Sequence, residues 1–365
     1  LIDINSLIVS TADISNANFE NGRFVFDKPG NPNASIINRG SITAKDAGLV
    51  GLVAPNVENS GIITANLGRV HLASGDTATI DLYGDGLMEV AVSDDVTSQS
   101  VTNTGTINAA GGKIALTAAA GSKMVNSLIT VKGELNAPTV GTRGGKIYIY
   151  AEGSNAVKGN VKANKGQKSG KSTVLVDAKI NVSGDDIGEK AGSVEILGDQ
   201  VWVSPNTHIN ASGWNGGGLV HIGGSFRGLD ATPTALMTII DAGSLIEANS
   251  LDAGNAGEVV VWADNETRFS GTITADAKGN EGDGGNVETS GQQVLFIGGS
   301  ASVSATSRRR KGTWLLDPND ITIQAAGSDT NISTGPNFAT TNDTSIVTTK
   351  TIQDALNSGT SVTIE

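Results

Sequence analysis

Catalysis by this chain would have to rest largely on carboxylates, because it contains no cysteine and only three histidines. The acids stand in pairs: Asp81 with Asp85, Asp94-Asp95, Asp185-Asp186, and Glu281 with Asp283. Clustered carboxylates could hold calcium beside an arginine base, as polysaccharide lyases do. All four pairs lie in glycine-rich turns, and no spacing carries acids and an Arg or Lys into one groove. Their ordinary reading is solvated turn acids. Gly282-Asp-Gly-Gly285 has the letters of a calcium-binding nonapeptide, but such sites are built from tandem copies and this one stands alone. His71, His208 and His221 fall in separate stretches without metal-ligand spacing. His71 and His221 each sit between two apolar residues and are expected to point outward to solvent. No serine-centred nucleophile elbow and no phosphate loop occurs. The chain is read as a non-enzyme, with no catalytic, cofactor or metal residue assigned.

Three further groups could act by contact. Trp202 and Trp262 lie within alternating apolar runs and face outward by period. They are candidate surface contacts, with covering by a neighbouring loop as the alternative. Arg308-Arg309-Arg310-Lys311 is the one strong charge run. It reads as a solvated loop ahead of Trp314, with a processing site or an anionic-surface contact as the functional alternatives. Asn-x-Ser/Thr triplets occur at Asn33, Asn181, Asn210, Asn265, Asn331 and Asn342; chance accounts for most of these in a chain so rich in those residues.

The elements that would position these groups are repetitive. Glycine, an apolar residue two on and a small residue two further recur as Gly40-Ser-Ile42-Thr-Ala44, Gly61-Ile-Ile63-Thr-Ala65, Gly105-Thr-Ile107-Asn-Ala109, Gly133-Glu-Leu135-Asn-Ala137, Gly159-Asn-Val161-Lys-Ala163 and Gly271-Thr-Ile273-Thr-Ala275. A second phrase alternates with it, from Gly68-Arg-Val70-His-Leu72 through Gly112-Lys-Ile114, Gly145-Lys-Ile147, Gly192-Ser-Val194 and Gly218-Leu-Val220 to Gly257-Glu-Val259. Each phrase is a short strand entered through glycine. Such strands cannot bury an apolar face alone and must stack on neighbours, as solenoids do. Leucine-rich and helical repeats lack their signatures here, and a propeller would need more aromatics than the 4% present. A parallel β-helix remains.

The 44 residues from Gly61 to Gly105 read as two diverged coils. At about 20–25 residues per coil the chain would make roughly 14–17 coils, a rod of about 65–80 Å. Asn38, Asn59 and Asn103 each stand two residues before a phrase glycine. In-register stacking would place them in a ladder of amides. One helix is expected near the end, over 348–358. Ile352, Ala355 and Leu356 would share its buried face, Thr348 or Thr349 would cap it, and Gly359 would end it.

The formal net charge of −12 argues against nucleic-acid binding, which needs a basic face. Absence of cysteine suits passage through an oxidising compartment without disulfide trapping, and no apolar run is long enough for a transmembrane helix. Leu1 and Glu365 both fall in strand-like runs, so a fragment of a longer chain is expected.

The stretch from Ser35 to Ala65, together with Val9-Ser-Thr-Ala-Asp-Ile-Ser-Asn-Ala-Asn-Phe19, Val259-Val-Val-Trp262-Ala-Asp264 and Gly312-Thr-Trp314-Leu-Leu-Asp317-Pro318, resembles the filamentous haemagglutinin-like exoproteins of two-partner secretion systems. The resemblance covers essentially the whole chain. It implies an all-β fold, a right-handed parallel β-helix, secreted through an outer-membrane β-barrel transporter and displayed at a Gram-negative cell surface or released. Residues 1–95 then resemble the later part of a secretion domain, 96–312 a repeat rod, and 313–365 a capping segment. The implied function is a filamentous adhesin contacting host cells, matrix or other bacteria. Alternatives are an end-to-end self-assembling filament subunit, the stalk of a contact-dependent toxin, and, behind these, a polysaccharide-active enzyme. The family's Asn-Pro-Asn-Gly secretion motif has no counterpart; Asn31-Pro32-Asn33-Ala34 follows the wrong strand, so no transporter-recognition residues are assigned.

Overall fold

The computed structural model describes residues 1–80, 88–93, 95, 96, 98–120, 126–153, 171–306, 308–319, 321–324 and 345–364. The chain winds as a parallel β-helix with three long sheets. The first has ten strands, from Ile2–Ile4 to Ser300–Ser302. The second has eleven, from Leu7–Ser10 to Ser361–Ile364, and the third has eleven, from Ser35–Asn38 to Ile321–Gln324. The two sequence phrases separate cleanly between sheets. Ser41–Ala44, Ile62–Thr64, Thr106–Asn108, Glu134–Asn136 and Thr272–Thr274 all belong to the first sheet, and the six copies of the second phrase all belong to the second. The copy at Gly159 lies outside the described residues; the strand next to Glu134–Asn136 is Lys179–Asn181.

Register explains the glycine. The backbone of each coil passes so near the one before it that a Cβ at Gly61 would stand 2.0 Å from the Gly40 carbonyl oxygen, and one at Gly192 equally close to that of Gly145. The same carbonyls accept the next strand's first N–H, as in Ser193 N to Gly145 O at 3.0 Å. Only a residue without a side chain permits that approach. Two residues on, the apolar position turns inward. Ile42, Ile63, Ile107, Leu135, Ile180, Ile209, Ile246 and Ile273 form one buried column. A single apolar cluster then runs from Ile42 to Ala355, crossing 95/96 and 312/313 without a break.

The coil count is lower than expected. Ile63 pairs directly with Ile107, and Val70 with Ile114, so the 44 residues after Gly61 form one coil. The surplus leaves the helix as an antiparallel hairpin, Thr77–Ile80 with Met88–Ala91, which also pairs with Val25–Phe26. Its underside makes a small second core, with Phe24, Phe26 and Val90 packed over Leu49, Val53, Ala73 and Ala78. Eleven strands at about 4.8 Å make a rod of roughly 50 Å.

Two α-helices occur among the described residues. The first, α1 (Asn16–Glu20), was not expected; Ser15 caps it, and none of its residues is buried. The second, α2 (Thr349–Asn357), is capped by Thr348 and followed by Gly359 at φ +91°. It joins Ser345–Thr348 of the third sheet to Ser361–Ile364 of the second, where other coils place a first-sheet strand, and it packs beside Ser300–Ser302. Ala355 is buried and Ile352 packs on the core, but Leu356 is 53% exposed, so the expected three-residue face is two residues wide. Strand order also changes at this end: Ser345–Thr348 inserts between Val294–Ile297 and Ile321–Gln324.

Candidate functional site

Asn38, Asn59 and Asn103 stack in register in the third sheet. The Asn38 Nδ2 donates to Asn59 Oδ1 and the Asn59 Nδ2 to Asn103 Oδ1, each at 2.7 Å. Asn103 Nδ2 closes the chain on the Gly105 carbonyl at 3.1 Å. Asn59 and Asn103 are fully buried, facing the interior, so these amides hold the coil and meet no ligand. A second amide column lies on the outer face of the first sheet: Asn108, Asn136, Asn181 and Asn210. Asn136 Nδ2 donates to Asn108 Oδ1 at 3.1 Å, while Asn181 and Asn210 accept from Ser183 N and Ser212 N at 3.0 Å. Sequence reasoning missed it, although the signal was present at the fourth position of the first phrase.

The paired acids do not converge. Asp185 accepts from Ser183 Oγ at 3.0 Å, and Glu189, itself buried, ties the Gly141 and Asp186 N–H groups. Asp283 holds Arg310, accepting its N–H at 3.1 Å and its Nε at 3.0 Å; that backbone hydrogen bond, with the guanidinium, keeps the Asp283 carboxyl below the usual range. Glu281 and Asp95 are exposed or partly exposed turn residues, and Asp81, Asp85 and Asp94 lie outside the described residues. Among the described residues no cluster of three His, Asp, Glu or Cys could hold a metal. Arg308, Arg309, Arg310 and Lys311 are all exposed, but Arg310 is fastened to Asp283.

Two expectations are corrected. His71 faces outward from its strand but not into solvent: the hairpin insertion leaves it 2% exposed, with Nε2 2.7 Å from Thr117 Oγ1. Burial, with Lys113 nearby, lowers its pKa to about 3, so the ring is neutral. His221, also expected in solvent, shares the correction: its side chain is only 13% exposed, against Glu258 at 2.9 Å, while the more exposed His208 meets Glu247 at 2.7 Å. Trp262 is likewise no surface contact. The loop after Leu219–Ile222 folds over the second sheet, so that Gly224 and Gly228 lie against the indole and leave it 7% exposed. Its Nε1 donates to Asp264 at 3.0 Å. The loop is fastened further on, where Arg227 N donates to the buried Glu288 at 2.9 Å. Burial raises the Glu288 pKa, with Ser290 Oγ at 2.8 Å opposing that shift. Trp202 stays 40% exposed, its Nε1 donating to Asp241 at 2.6 Å.

The glycine corners also form a shallow groove of about 530 Å³ over Gly145, Gly192, Gly218 and Gly257, rimmed by Lys190 and Glu258. The amides of Gly192, Gly218 and Gly257 are already bonded to the carbonyls of Val182, Ala211 and Ala248, so these three offer no donor to a ligand.

No protein-family model and no curated protein matches the chain. Among solved structures it is similar to the HMW1 secretion domain from Haemophilus influenzae, with 27% identity and a TM-score of 0.64 over 87% of this chain and 75% of that one.

Proposed function

We propose that this chain is the secretion-domain region of a secreted exoprotein, exported by a two-partner route through an outer-membrane β-barrel transporter and carrying an adhesin at a Gram-negative cell surface. The observation that carries the reading is the extent of the likeness to a secretion domain, which spans most of both chains. The distribution of polar chemistry supports it. Asp185, Asp283, the histidines, Trp202 and Trp262 are each tied to the scaffold separately, and attachment by many weak contacts suits such a surface. A role without turnover is part of the proposal. A stalk for a toxin uses the same export and differs only in cargo.

The test is export. Behind a secretory signal, the chain should reach the medium of a Gram-negative host only when a matching two-partner transporter is co-expressed. Equal release without the transporter would sink the reading.

A further inference from the structure

Across the inner eight of its ten strands, the outer face of the first sheet is close to a palindrome. Along the column one residue before the buried centre, successive strands present Ser41, Ile62, Thr106, Glu134, then Lys179, His208, Leu245, Thr272. Read from the midpoint between Glu134 and Lys179, the order is charge, polar, apolar, hydroxyl in both directions, with the charges opposite in sign. The column one residue after the centre runs Thr43, Thr64, Asn108, Asn136, then Asn181, Asn210, Glu247, Thr274, and is nearly palindromic about the same midpoint. No coil-stacking requirement demands this, since stacking constrains only inward residues and corners.

A two-fold interface needs a surface that matches itself when reversed. We propose that a second copy of this chain docks on this face, antiparallel, about a two-fold axis lying along the strands between Glu134–Asn136 and Lys179–Asn181. Each Glu134 then meets the Lys179 of the other copy, Ile62 meets Leu245, Thr106 meets His208, and the Asn columns face one another. Ile62 is 48% exposed, and this pairing covers it. Lys179 and Glu134 remain well exposed although they touch at 3.5 Å within one chain, so both can turn to a partner. Every solenoid of this kind shares the inter-strand repeat of about 4.8 Å, so a contact made once repeats along the face without drift. A parallel arrangement would instead set Glu134 and Lys179 against Asn136 and Asn181, leaving both charges without a counterpart.

Eight strands and two columns cover about 400 Å² per copy, half of a standard interface. The pairing is therefore weak in dilute solution and effective where copies crowd on a surface.

Absence of cysteine makes thiol cross-linking clean. Thr106→Cys with His208→Cys places thiols about 14 Å apart within a chain, three strand spacings and too far for a linker of about 8 Å, but opposite one another across two sheets packed about 10 Å apart at the proposed interface. At high protein concentration a bis-maleimide of that length should convert this double variant to covalent dimer at least ten times faster than Thr106→Cys with Ser300→Cys, which the axis leaves unmatched. Lys179→Glu should reduce sedimentation-detected self-association at least tenfold, and Glu134→Lys with Lys179→Glu should restore it. Unchanged circular dichroism and melting would show that these exposed variants fold. Equal trapping of the matched and unmatched pairs, or a charge reversal without effect on association, would overturn the proposal.

Discussion

His71 shows how a residue's neighbours override its place in a pattern. Alternation sends it outward from its strand, and the hairpin insertion then seals that face. Its folded pKa of about 3 lies below the ordinary histidine value of 6.5, so between these values the unfolded chain binds the extra proton. Its contribution is complete above pH 6.5 and is lost as pH falls toward 3. Unfolding free energy should drop by about 2 kcal/mol from pH 7 to pH 5, above the range where most carboxylates titrate. His71→Gln, which can still bond Thr117, should flatten that slope in urea titrations at the two pH values. Asn59 makes the complementary case. Asn59→Ala would leave Asn38 Nδ2 and the buried Asn103 Oδ1 without their mutual partner, so a loss of about 2–4 kcal/mol is expected by chemical denaturation. The inner ladder was legible because its asparagines keep a constant offset from the phrase glycine. The sealing of His71 and Trp262 was not, because the covering residues arrive from insertions with no repeat of their own.

At the scale of the element, the glycine phrase makes a sharper claim than glycine frequency does. Gly40 and Gly61 hold the same place in consecutive copies, but only at Gly61 does a neighbouring backbone press on the Cβ position. A Cβ at Gly40 meets no atom within 4 Å, whereas one at Gly61 would collide with the Gly40 carbonyl. Gly40→Ala should change stability by less than about 0.5 kcal/mol and Gly61→Ala should cost about 2–3 kcal/mol, read from paired thermal melts. Equal effects would mean that turn conformation, not coil approach, selects the glycine. The loop over Trp262 is an element of a different kind, a strap fixed to the second sheet through Arg227 and Glu288. Trp262→Ala should cost about 3–5 kcal/mol and loosen this strap, visible as faster amide exchange in residues 223–235.

Taken whole, the chain is a stack in which neighbours hold each coil. Thr313–Leu316 lies between Asn286–Gly291 and Ser361–Ile364, and Trp314 is fully buried. Trypsin should therefore cut first in the exposed run Arg308 to Lys311, with the two pieces remaining together on size exclusion and separating only on a denaturing gel. What the sequence by itself determined is the coil: glycine corner, inward apolar residue, small closing residue, and the sheet to which each phrase belongs. These are set by near neighbours and by the copy directly above or below, so they repeat legibly in the letters. Tertiary structure alone decided how many coils the letters make, which intervals are single coils with an inserted hairpin, which outward side chains are sealed, and that α2 stands in for a strand. Those outcomes depend on segments that break the period and pack across several coils, and a local pattern carries no record of what folds over it.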